Sequence, residues 1–154
     1  ANYECNRLAK DKDLLGTFSA WLLVGGNDIY SRFPLYEGDT EIAVVRTDKS
    51  LIAKGFAALL AGPMQGVTLD ESGADVTLKT TQAVWTNVKT NGESTLDDCD
   101  HWMVSEAEVK LFFGLVGRAE KATGKTWTQE SADLMQSRRR CDNEAHIYCV
   151  QDPE

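Results

Sequence analysis

Two short stretches gather the residues most able to do chemistry: Cys99-x-His101, and Cys141 with His146 and Cys149. Thiolates and neutral imidazoles are the ligands of structural zinc, which takes four of them tetrahedrally. The usual Cys-x-x-Cys knuckles are missing, however, and in an extended segment His146 and Cys149 fall on opposite faces. A nucleophilic cysteine is a second chemistry, and it needs a lowered thiol pKa and a base. Cys99 has His101 two residues away, but Asp97, Asp98 and Asp100 surround it, and like charge disfavours a thiolate. The third chemistry is oxidation. Four cysteines allow three disulfide connectivities. A nested pairing would tie the first helix to the last strand and pin a long loop. Loop closure values such bridges at roughly 4–5 kcal/mol each, at the upper end. Composition does not choose among the three.

Other side chains could contact a ligand. Asp97, Asp98 and Asp100 read as a solvated acidic loop or as an oxygen-rich calcium site. Arg138, Arg139 and Arg140 form the one dense basic stretch, either a solvated face or a contact for an acidic partner. Trp127 lies in a stretch with few strand or helix signals. No Gly-x-Ser-x-Gly, His-Glu-x-x-His or phosphate-loop pattern occurs, so the chain reads as a non-enzyme.

The positions that carry these groups sit in a chain of 154 residues, 42% hydrophobic and 26% charged, with a formal net charge of −8. That length suits one domain, 1–154, with a real core. The negative charge argues against nucleic acid or an anionic membrane as partner. No stretch approaches the roughly 20 apolar residues of a membrane helix, so no membrane insertion is expected. The opening "ANYECNRLAK" lacks a methionine and a signal-peptide pattern, as in a domain cut from a longer secreted or surface protein.

Periodicity predicts the elements. "NYECNRLAKDKDLL" sets Cys5, Leu8 and Ala9 on one helical face, ended by Gly16. "TFSAWLLV" alternates as a strand, and Gly25 to Asp28 is turn chemistry. "EIAVVRT" reads as a strand. "SLIAKGFAALLAG" reads as a short helix, with Ser50 as N-cap, Ile52, Phe56, Leu59 and Leu60 on one face, and Gly62-Pro63 as its stop. "GVTLDESGADV" reads as a strand, a polar loop and a return. "AVWTNV" is a strand around Val84 and Trp85, followed by a turn at "KTNGE". Ser105 and Glu108 have capping-box spacing. Gly114 to Gln136 reads as long loops, and "HIYCVQ" as a last strand. The predicted class is α+β, with about two helices and several short antiparallel strands.

The order of these segments resembles the endostatin family, the C-terminal domain of collagens XV and XVIII, and related bacterial secreted domains. "YECNRLAKDKDLLGTFSAWLL", "DIYSRF", "AVVRTDKSLIAKGFAALLAG", "AVWTNVKTNGESTLDDCDHW" and "CDNEAHIYCVQD" carry the likeness across nearly the whole chain. "VWT" at Val84 to Thr86 and the "IYCVQ" ending look closer to the bacterial group. The resemblance implies a C-type-lectin-like fold with nested disulfides Cys5–Cys149 and Cys99–Cys141, and Phe18, Trp85 and Trp102 in the core. The position after Phe18 is Ser19 where the family's heparin binders carry arginine.

The resemblance implies a non-catalytic, secreted or cell-surface recognition module, as in a bacterial adhesin, that binds a glycan or protein receptor. The loops between Val88 and Arg140 would present the site, because loops on a rigid scaffold carry function. Asp97, Asp98, Asp100, Trp127, Arg138, Arg139 and Arg140 are the expected ligand-binding set. Calcium is the one cofactor the acids suggest, and no metal ligands are assigned. The alternative is a capping or assembly domain of a fibre or envelope protein, oligomeric through its parent.

Overall fold

A computed structural model describes residues 1–34, 42–78, 82–103, 112–119 and 125–152. The chain opens with α1 (Asn2–Asp11), whose Cys5 and Ala9 are buried while Arg7 bridges Glu4 and Asp11 on the outer face. The helix stops four residues short of the sequence reading. Asp13 turns into the left-handed region at φ 53°, and the Leu14 amide folds back to the Ala9 carbonyl at 2.9 Å.

Strand β1 (Phe18–Ala20) pairs antiparallel with β8 (Cys149–Gln151), Ala20 opposite Cys149. The other edge of β1 meets α1. The Asn6 side chain donates to the Phe18 carbonyl at 2.7 Å and accepts from the Phe18 amide at 2.9 Å, and Asn2 Oδ1 accepts from the Ala20 amide at 3.0 Å. Two asparagines one helical turn apart thus do for this edge what a third strand would do. The Cys5–Cys149 disulfide, with Cα atoms 5.6 Å apart, closes the same layer.

After α2 (Ile29–Arg32), capped by Asp28, a hairpin follows: β2 (Ala43–Val45) against β3 (Leu51–Lys54). Here the sequence reading is corrected. Ser50 caps no helix, and Leu51–Lys54 is strand. The helix α3 (Phe56–Ala61) begins only after Gly55, which takes φ 83°. Ile52 and Phe56 both reach the core, one from the strand and one from the helix, so a single run of apolar residues mimics one longer helical face. The segment predicted as strand and return at "GVTLDESGADV" is reduced to a Leu69–Asp75 bridge.

The second layer is a four-stranded sheet in the order β6-β5-β4-β7. Strands β4 (Ala83–Trp85), β5 (Phe113–Arg118) and β6 (Arg138–Arg140) pair antiparallel, and β7 (His146–Ile147) joins β4 in parallel. β5 occupies part of the stretch read as loops, because its two glycines mask a strand. A Cβ at Gly117 would collide with the Trp127 carbonyl, and one at Gly114 would come within 2.7 Å of the Trp85 ring. Each is glycine because another group sits against its backbone.

The predicted last strand is split. His146–Ile147 belongs to one sheet and Cys149–Gln151 to the other, with Tyr148 as the pivot. The Tyr148 carbonyl accepts from the Trp21 amide at 2.9 Å, and its hydroxyl donates to the Trp127 carbonyl at 3.2 Å. Around this pivot the core is aromatic: Trp21 packs on Phe33, Phe56 and Trp127 at centroid distances of 5.4, 5.3 and 4.8 Å, and Trp127 on Tyr148 at 5.5 Å. Phe18, expected in the core, is half-buried, because β1 ends at Ala20 and the chain turns Trp21 inward instead.

The class is therefore α+β with three short right-handed α-helices, one helical turn of left-handed backbone at Cys99–Trp102, mostly antiparallel strands and two disulfides among the described residues. The Ser105–Glu108 capping pattern lies outside the described residues. No helix among them is long and apolar enough to cross a membrane.

Candidate functional site

Strand alternation sorts the sheet into two faces. Gly114 lies opposite Arg139 and Trp85 opposite Val116, so Ala83, Trp85, Gly114, Val116 and Arg139 share one face. Val84, Leu115 and Gly117 share the other with Arg138 and Arg140. The second face is core at Val84, Leu115 and Gly117 and open to solvent at Arg140. The first carries a concavity.

The connection from β6 to β7 runs from one edge of the sheet to the other and passes this first face. Its residues Asn143, Glu144 and Ala145 join Ala83, Trp85 and Arg139 to line a pocket of about 250 Å³. Trp85 is half-buried and its ring lies against Gly114, whose missing Cβ leaves the room. Trp102 stands beside it, ring centroids 5.7 Å apart and tilted by 60°, with its indole N–H donating to the Leu23 carbonyl at 2.8 Å. The resemblance placed both tryptophans in the core. The structure corrects this: they are a half-buried pair outside the main aromatic cluster.

The Cys99–Cys141 disulfide, Cα atoms 5.8 Å apart, anchors the start of the 141–145 loop. Cys99 sits in an unusual turn: Cys99, Asp100, His101 and Trp102 all have positive φ, between 50° and 60°. L-residues pay about 1–2 kcal/mol each in this region, so the turn needs external support. Asp98 supplies it. Its buried carboxylate accepts from the His101 amide at 3.0 Å and from the Gly25 amide at 2.8 Å. Asn87, fully buried, holds the neighbouring segment: its amide nitrogen donates to the Leu23 and Thr95 carbonyls at 3.1 Å each, and its oxygen accepts from the Thr95 amide and hydroxyl at 3.1 and 2.6 Å.

The residues expected to bind a ligand are dispersed by these demands. Asp97 pairs with Arg138 at 2.7 Å, and Arg138 also lies over the Phe113 ring, 4.6 Å from its centroid. Arg139 pairs with Glu130, and Arg140 with Asp142 at 3.1 Å. The basic triplet is thus three ion pairs on two faces of a strand, and only Arg139 faces the pocket. Asp98 is structural and Asp100 is exposed beside His101. No group of three His, Cys, Asp or Glu side chains gathers as a metal site among the described residues. All four cysteines are in disulfides, so none supplies a thiolate. Trp127, expected in a ligand-presenting loop, is only 2% exposed and belongs to the aromatic core.

What sequence reasoning missed is Trp85 as a pocket wall and the 143–145 segment, which lies beyond the loops assigned to the site. The available signal was composition: "DNEA" between Cys141 and His146 has no strand character and three polar side chains in a row. No family model matches the chain, and neither does a curated protein sequence.

Proposed function

We propose that the domain is an extracellular recognition module, endostatin-like with a C-type-lectin-like fold, that binds a glycan or protein receptor on a cell surface or in matrix, as part of an adhesin-type parent. The observation that carries the reading is the pocket face itself. An exposed loop bearing Asn143 and Glu144 is anchored by a disulfide at one end and by β7 at the other, above a tryptophan fixed by Gly114 and Trp102. Polar groups held on a rigid scaffold around an aromatic wall suit reversible recognition. Two disulfides suit an oxidising compartment.

The test is a glycan array together with capture from host or matrix surface extracts, using protein with both bridges intact. Specific retention that N143A/E144A abolishes is the expected result. Silence on both, from folded protein, removes the proposal.

A second reading, a capping or assembly domain, draws on Leu15, Leu96 and Met103, which are 84%, 89% and 82% exposed. Light scattering separates the two: a stable oligomer without ligand retention favours assembly.

A further inference from the structure

The chemistry of the pocket narrows the class of ligand, taking the recognition reading as its premise. Its one apolar wall of any size is the Trp85 indole, presented by β4 and backed by Trp102 and Gly114. Its basic member, Arg139, is already engaged. One guanidinium nitrogen donates to the Gln136 and Arg138 carbonyls at 3.1 and 3.0 Å, and the other pairs with Glu130, itself 3.5 Å from Arg118. Arg139 is therefore a fixed, neutralised wall and offers little to an anion. Asn143 and Glu144 are different. Both are exposed, and among the described residues neither side chain has a hydrogen-bonding or ionic partner. The pocket thus offers an aromatic face, an amide that both donates and accepts, and a free carboxylate that only accepts.

We propose that this pocket takes one neutral pyranose ring, without calcium. A pyranose has an apolar face of C–H groups, which suits the electron-rich face of an indole, and hydroxyls around its rim that suit an amide and a carboxylate. The free carboxylate of Glu144 and the net charge of −8 disfavour uronic or sulfated sugars. At about 250 Å³ the pocket is below the roughly 300–1,000 Å³ of pockets that take drug-sized ligands, which limits the occupant to something of the size of a single ring. Binding needs no bridging cation, because the hydroxyls meet Asn143 and Glu144 directly, while Asp97 and Asp98 are occupied by Arg138 and by backbone amides.

The experiment is a titration of the folded protein with methyl glucoside, methyl galactoside and methyl mannoside in excess EDTA, followed by saturation-transfer NMR and calorimetry, with glucuronate and choline as charged probes. The expected result is a dissociation constant on the order of 1 mM for at least one neutral glycoside, typical of so small a ligand. Glucuronate binds at least tenfold more weakly. N143A and E144A, both on an exposed loop, each weaken binding at least fivefold with unchanged near-ultraviolet circular dichroism, and W85F retains more affinity than W85A. No neutral glycoside binding, tighter binding of glucuronate or choline, or unchanged affinity in both loop variants overturns the proposal. If N143A/E144A abolishes retention on surface extracts while the glycosides neither bind nor compete, the sugar assignment fails and the recognition reading stands. If retention is absent as well, both fail.

Discussion

Asn87 shows how one polar side chain can organise a site it never touches. It sits with positive φ in the buried segment after β4 and satisfies two carbonyls, an amide and a hydroxyl. Leu23, whose carbonyl it meets, also receives the indole N–H of Trp102. Replacing it with alanine leaves the buried Leu23 carbonyl and the part-buried Thr95 groups without their partner, at about 1–3 kcal/mol for a buried unsatisfied partner. Urea denaturation of N87A is expected to show a loss of at least that size, with the Trp102 and Trp85 environment altered in near-ultraviolet circular dichroism. A loss below about 0.5 kcal/mol contradicts the role. Gly114 makes the companion case. G114A pushes a methyl group into the Trp85 ring and toward Cys99 Sγ, so it is expected to cost about 1–3 kcal/mol by overpacking and to weaken ligand binding through the displaced indole. Unchanged stability and fluorescence in G114A would mean that the ring does not rest there.

At the scale of elements, legibility in the sequence followed how local the signal was. Helix α1 was readable because Cys5 and Ala9 are a helical turn apart, although it ends at Asp11 and not at Gly16. β4 was readable from Val84 and Trp85. β3 was not, since Ile52, Phe56, Leu59 and Leu60 satisfy a helical period although the chain changes conformation at Gly55. β5 was lost for the opposite reason: Gly114 and Gly117 lower strand character locally, and what demands them, the Trp85 ring and the Trp127 carbonyl, comes from distant segments. The same distance hid the site. Asp97, Arg138, Arg139 and Arg140 looked like free charge in sequence, but each has its counter-ion supplied by folding.

The bridges join such distant elements, with sequence separations of 144 for Cys5–Cys149 and 42 for Cys99–Cys141. Chain entropy puts the two at roughly 5 and 4 kcal/mol. C99A/C141A is expected to lower unfolding free energy by up to about 4 kcal/mol and to release the left-handed turn and the 141–145 loop. The double variant should therefore lose binding at temperatures where it is still folded. Binding that survives at wild-type strength would mean the bridge does not position the loop. Mass spectrometry of unreduced peptides checks the pairing itself, and free thiol at Cys99 or Cys141 contradicts it.

For the whole molecule, pH reports how the charged surface and the core share stability. The Ser50 hydroxyl and amide, with Arg46, hold the Asp48 carboxyl down at about 2. Asp28, Asp75, Glu4 and Glu93 are lowered as well, chiefly by hydrogen bonds from the Ser31 amide, the Thr77 hydroxyl, Arg7 and Lys89. Each folded carboxyl binds its proton less readily than the unfolded chain does. The stability they give is present above about pH 4 and is lost as pH falls toward 2. Thermal melts of D48N should show a shallower acid branch than the wild type, and an identical one contradicts the Asp48 role. At the alkaline end, burial pushes the Tyr148 phenol up from its ordinary 10.0. Its neutral form is favoured only in the folded state, so stability falls as pH rises above about 10. Y148F should flatten that branch.

We propose that this molecule recognises a surface ligand through the face built on Trp85 and the 141–145 loop. The most direct measurement is the set of amide and indole shift changes in ¹⁵N-labelled, bridge-intact protein titrated with the tightest binder recovered from the array or extract. The changes are expected to centre on the Trp85 indole, Ala83, Arg139 and Asn143 to Ala145. Changes centred instead on the α1 side, around Leu14 and Leu15, or no binder at all for the folded protein, would contradict it.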